Sequence, residues 1–197
     1  MNLNNNILAA VDVETTGVEF GWHEILQVAI LPLDTNCEPD RDLGFFYMNV
    51  APKHPSRQGL DARNKHGLDA AKMAEECVSQ EEAAGMLDDW FVKLNLPLGK
   101  RLVPLAHNWA FERGFLTHWL GIELFDSIWQ CHPRDTMGFG TMINDVYAWR
   151  GEPVPFHTLS LLSMCNRCGV VLDNAHDALA DCLATADLYK TIISNFG

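Results

Sequence analysis

The stretch Ile7-Leu8-Ala9-Ala10-Val11-Asp12-Val13-Glu14-Thr15-Thr16-Gly17 decides how the chain is read. Its first five residues are apolar, and such a run closed by glycine predicts a strand buried on both faces. Side chains two apart in a strand point the same way, roughly 6–7 Å from each other. Asp12 and Glu14 therefore project side by side from one face. Two carboxylates that close repel, and burial penalises each charge further. No Lys or Arg occurs before Arg41, so a local ion pair is not available. A proton on one acid or a cation between them remains, and hard Mg²⁺ or Mn²⁺ suits carboxylate oxygens. On the pair alone, a strand end where both acids reach solvent is equally open.

The rest of the composition narrows the setting. The 197 residues predict a single domain over 1–197, with room for a full core. Apolar residues at 48% and charged residues at 20% are ordinary for a soluble globular chain. The N-terminus lacks the basic start and long apolar core of a signal peptide, and no stretch approaches a membrane span. A cytoplasmic chain with no membrane partner is expected. Six scattered cysteines suit reduced thiols, and Cys165-Asn166-Arg167-Cys168 has zinc-like spacing without a second close pair. A net charge of −12 argues against holding long nucleic acid on a broad basic surface. It leaves room for an enzyme that grips a few phosphates through metal ions.

Downstream of the opening strand, Glu24 to Leu31 is apolar and β-branched and predicts a second strand, paired as a hairpin across residues 18–23. Leu43 to Val50 predicts a third. Residues 51–67, with Pro52, Pro55 and two glycines, read as a loop. They set Lys53, Arg57, Arg63 and Lys65 against one acid, Asp61, a concentration that suits either phosphate or plain solvent. Ser79-Gln80-Glu81-Glu82 is a capping signal for a helix to about Leu94. Residues 101–106 predict a strand despite Pro104, and 134–137 a short strand leading into a helix over 138–149. Thr158 to Arg167 is apolar at helical spacing and stops at Gly169.

Two helical segments carry further candidates. Phe111, Phe115 and Trp119 recur every fourth residue as an apolar face, with Asn108 and Glu112 one turn apart beside it. From about Asp177 to Ser194, one stripe holds Leu179, Cys182, Leu183, Ala186, Tyr189 and Ile193. A second holds Ala178, Thr185, Leu188, Ile192 and one charge, Asp181. A buried carboxylate there needs a partner or a metal. His176 sits just ahead of that helix, where a histidine is either structural or turned toward substrate.

Together, Asp12-x-Glu14, Asn108-x-x-Phe111-Glu112-x-x-Phe115-Leu116 and His176-x-Ala178-x-x-Asp181-x-x-Ala184-Thr185 resemble the motifs of the DEDDh exonucleases. That family includes the proofreading epsilon subunit of bacterial DNA polymerase III, ribonuclease T and oligoribonuclease. The resemblance runs from Val11 to about Tyr189. It implies an α/β, ribonuclease H-like fold with a mixed five-stranded sheet flanked by helices. It also implies two divalent cations, Mg²⁺ or Mn²⁺, on Asp12, Glu14, Asp181 and the second-motif acid, which is Asp in the family and Glu112 here. Were Glu112 not a ligand, Asp135 is the next acid to consider.

The same resemblance implies 3′-to-5′ hydrolysis of single-stranded DNA or RNA 3′ ends to nucleoside 5′-monophosphates, with DNA slightly favoured. His176 would be the general base, suited by an ordinary pKa near 6.5. Thr15, Thr16, Gly17, Val18, Asn108 and Phe111 would surround the terminal nucleotide, and Val18, Phe20 and Trp22 would pack against its base. The alternative is a catalytically silent member used as a binding or regulatory subunit. A polymerase or a second copy of the chain as partner is left open by the sequence.

Overall fold

The computed structural model describes residues 3–195. The opening strand extends through both acids as β1 (Ile7–Thr15). Its alternation sends Leu8 and Ala10 into one apolar cluster and Ala9, Val11 and Val13 into another on the opposite face. β2 (Ile25–Leu33) is buried along all nine residues and pairs antiparallel with β1. β3 (Phe46–Ala51) pairs antiparallel with β2 on its far side. It begins at Phe46 rather than Leu43 because Asp40 Oδ1 accepts the Asp42 and Leu43 amides, and Gly44 donates to the Asp40 carbonyl at φ 67°.

β5 (Leu102–Ala106) lies parallel to β1 on the other side. Two strands of two residues complete the sheet, β4 (Val78–Ser79) against β3 and β6 (Arg134–Asp135) against β5. The order is β4-β3-β2-β1-β5-β6, six strands where five were expected. The added strand is β4, whose second residue, Ser79, also caps the helix that follows. β6 starts pairing only at Leu105, so no strand residue stands opposite Pro104 on that edge.

The expected loop over 51–67 is a correction. It contains a 3₁₀ turn at Pro55–Arg57 and the helix α1 (Leu60–His66), followed by α2 (Ala70–Glu76), which Asp69 caps. No residue of α1 is buried, so it has no apolar stripe to read. α3 (Gln80–Lys93) starts on the Ser79 cap as predicted, with Ser79 Oγ accepting from Glu82 N. α4 (Trp109–Ile128) bends at Gly121, and α5 (Thr136–Trp149) and α6 (Leu161–Cys168) follow.

α7 (Ala178–Asn195) closes the layer over β1, β2 and β5. Its burial differs from the two predicted stripes. Leu183 and Ile193 are exposed and Ala184 is buried, because the sheet covers one side of the helix and α5 and α6 another. Cys165 is buried in the cluster between α5, α6 and α7, and Cys168 packs at its margin. α3 and α4 cover the opposite face of the sheet. No helix among the described residues is long and apolar enough to cross a membrane.

Candidate active site

β1 and β5 run parallel, β1 continuing past its last pair with β5 at Ala10 and Leu105, and the carboxyl edge of parallel strands is where α/β sheets place ligands. A cleft of about 1120 Å³ opens there, lined by Asp12, Glu14, Asn108, Glu112, His176 and Asp181. Residues 164 or more positions apart in sequence, such as Asp12 and His176, thus share one wall. Asp12 and Glu14 continue the stripe of Leu8 and Ala10 toward α7. Asp181 meets them from the first turn of α7. One ligand atom each from Glu14, His176 and Asp181 lies within 4.8 Å of the others.

Glu112 arrives from the first turn of α4, 3% exposed, and its Oε2 has no hydrogen-bond partner. An orphaned carboxylate oxygen at that depth is unfavourable without a cation or a proton. The electrostatics agree. Burial pushes Asp12 well above the usual carboxylate range, with Glu14 and Asp181 adding to it. Burial and then Asp181 push Glu14 up to about 8. Glu112 rises well above its usual range through burial and the nearby Asp12. Burial raises Asp181 to about 6, against the pull of the His176 amide and Lys65. Four crowded acids that cannot all ionise unaided are a donor set for hard divalent cations, and the residues present fit such ions.

His176 holds a left-handed backbone at φ 71°, and its N–H donates to Asp181 Oδ1 at 3.3 Å. Burial first, then Lys65 and His66, lowers the imidazole below its ordinary range. Lys65 and His66 were not among the predicted site residues, although Lys65 belongs to the basic concentration noted in the sequence. α1 is tied to the first motif at both ends. Gly59 N donates to Thr16 O at 2.9 Å, and His66 Nε2 donates to Thr15 O at 3.0 Å. The His66 tautomer follows from Leu68 N, which donates to Nδ1. Of the four cations in 51–67, Lys53 pairs with Glu81, Arg63 pairs with Asp69, and Arg57 lies over the Trp22 ring at 4.0 Å. Lys65 instead lines the cleft.

The set expected to face a nucleotide changes in two places. Thr15, Gly17, Val18, Asn108 and Phe111 line the cleft, but Thr16 does not. Thr16 is fully buried, its N–H, carbonyl and Oγ1 all spent on Glu24 and Gly59. Phe20 and Trp22 lie outside the cleft lining. Phe20 stands edge-on to Phe115, 6.4 Å between centroids, and Trp22 lies under Arg57. Gly17 lets the His23 ring lie against the backbone, since a Cβ there would stand 2.3 Å from that ring.

Asp135, the acid to consider in place of Glu112, is not among the residues lining the cleft. Its carboxylate accepts from Asn108 N and Trp109 N at 3.1 and 3.0 Å, and from Met137 N and Gly138 N. It joins the starts of α4 and α5 and is already satisfied, so it is no substitute for Glu112.

Similar folds occur in solved structures. A zinc-bound complex of E. coli Exonuclease I with single-stranded DNA superposes with a TM-score of 0.75 at 19% identity, covering 96% of this chain and 41% of that one. Cell-death related nuclease 4 gives 0.73 at 17% identity, covering 96% and 64%. A 3′-exonuclease that recognises the histone mRNA stem-loop gives 0.67 at 14%, covering 94% and 63%. The chain thus spans well under half of the Exonuclease I chains it resembles. No curated protein matches it in sequence. The profile of the exonuclease family RNase_T matches residues 9–189, from within β1 to the last turns of α7, and the chain belongs to that family.

Proposed function

We propose that the chain is a metal-dependent 3′-to-5′ exonuclease that shortens single-stranded DNA or RNA from the 3′ end and releases nucleoside 5′-monophosphates. One observation carries this: Asp12, Glu14, Glu112, Asp181 and His176 converge on one cleft with an unpartnered Glu112 oxygen. Asp12, Glu14, Glu112 and Asp181 are the residues that would hold Mg²⁺ or Mn²⁺. Bound there, the ions supply Lewis-acid activation of water and charge neutralisation at the attacked phosphate.

The rest falls to the chain. His176, kept neutral near pH 7 by burial and the nearby Lys65, offers a ring nitrogen to take the proton of the attacking water. Lys65 places a positive charge where a phosphodiester would lie. Val18 and Phe111 offer apolar surface to the terminal nucleotide, a sequence-tolerant contact. Exonuclease I structures hold a dT13 oligonucleotide, whereas another similar structure recognises histone mRNA, so both polymers belong in the test. We propose DNA slightly ahead of RNA.

Glu112 in place of the family's Asp favours a second reading, a silent fold that only binds nucleic acid. Labelled single-stranded DNA, duplex DNA and RNA, digested with Mg²⁺ or Mn²⁺ and again in EDTA, separates the two. Mononucleotides released from the 3′ end only when metal is present are expected. Binding without release, or full activity in excess chelator, rejects the proposal.

A further inference from the structure

The residues that would do chemistry on α7 are held by a polar ring that contains none of them. Gln27 on β2 is 4% exposed and lies directly opposite Glu14 in the β1–β2 ladder, on the face that α7 covers. Its Oε1 accepts from Ala178 N, the first residue of α7, at 2.8 Å. Its Nε2 donates to Tyr47 Oη at 3.0 Å and to Asn49 Oδ1 at 2.9 Å, both on β3. Tyr47 Oη in turn donates to Asp177 Oδ2 at 2.6 Å. Asp177 closes the circuit, since its Oδ1 accepts from Leu179 N and Ala180 N at the start of α7.

A buried amide with donors and acceptor all matched specifies one geometry, and a mismatched partner is costly. The residues that the ring grips, 177–180, lie between His176 and Asp181 in sequence. The ring fixes the helix start against the strand that neighbours Glu14. His176 adopts a left-handed backbone that a non-glycine residue keeps only when its surroundings enforce it. Asp177 and Ala178, the two residues after it, are the ones the ring grips.

We propose that Gln27, Tyr47 and Asp177 are positioning residues that set His176 and Asp181 against Glu14; this rests on the exonuclease function proposed above. None of the three need touch substrate. Tyr47→Phe removes one hydroxyl from a partly exposed side chain and leaves the core unchanged, so the variant is expected to fold.

At saturating Mn²⁺, Tyr47→Phe is expected to lower kcat about ten- to hundredfold, the penalty of a misplaced catalytic group, with KM within about twofold. Asp177→Asn should do the same, and the double variant should be little worse than the harsher single one. Amide exchange over 176–181 should quicken in Tyr47→Phe while the centre of β2 is unchanged. An unaltered kcat, a change confined to KM, strictly additive losses, or unaltered exchange over 176–181 overturns the proposal. A wild-type chain that releases no nucleotide rejects the exonuclease function alone, since exchange reads the ring without turnover.

Discussion

Asp181 and Glu112 are both acids buried on the first turn of a helix and aimed into one cleft, yet their surroundings differ. Asp181 accepts the His176 N–H and forms a compact group with Glu14 and His176. Its partners limit the rise of its pKa to about 6. Glu112 has one oxygen with no partner and is driven well above the usual carboxylate range. The third-motif acid is therefore held in part by a hydrogen bond from the chain itself. The second-motif half is left for something else to complete.

Replacing each acid by its amide tests that contrast most severely. Asp181→Asn is expected to cut kcat by on the order of 10³-fold, corresponding to several kcal/mol of lost charge stabilisation. Glu112→Gln should cost about ten- to hundredfold and raise the metal concentration needed for half-activity. Glu112→Asp should keep substantial activity. The amide at 112 should also raise the melting temperature of the metal-free protein, because it removes an acid whose ionisation is opposed there. Equal losses and equal metal titrations for the two amides would erase the distinction between the two halves.

A smaller effect concerns pH. Without metal, the folded protein holds protons on Glu14 and Asp181 that the unfolded chain has released, since their pKa values rise from 4.5 to about 8 and from 3.8 to about 6. Raised carboxyl values mean that stability is lost as pH climbs through that window, not as it falls. Metal binding removes the penalty. The gap between melting temperatures in Mg²⁺ and in EDTA should widen from pH 5 to pH 8. A gap that narrows contradicts the crowding of the acids.

The smallest expected effect is at Lys65, the cation that supports the compact half. Lys65→Met should raise KM a few fold and reduce the slope of log KM against log salt by about 0.7, one phosphate contact on a single strand. An unchanged salt slope would leave Lys65 a neighbour of the acids and nothing more.

What the sequence revealed follows periodicity and spacing. β1 and β2 were legible as apolar runs, α3 by its Ser79 cap, and Asp181 as one charge in an apolar stripe. α1 left no trace because none of its residues is buried. β4 escaped because Ser79, one of its two residues, is also the cap that opens α3 and was read as that alone. Thr16 lies in the motif, but its groups turn inward to Glu24 and Gly59, which only the hairpin and α1 determine. Gln27 looked like any strand residue. Its partner Ala178 is 151 positions away, and no local pattern encodes a bond of that span.

That α7 closes over β1, β2 and β5 has a consequence for the order of assembly. Synthesis delivers the chain from the N-terminus onward. The β1–β2 hairpin, with Asp12 and Glu14 in place, can form early, but the cover for Leu8, Ala10, Leu31 and Leu105 comes from residues beyond 177. Until α7 docks, His176 and Asp181 are absent from the cleft. A half-made chain therefore carries an open apolar sheet and only part of the acidic cleft, and the cleft is completed in the same step that hides the sheet.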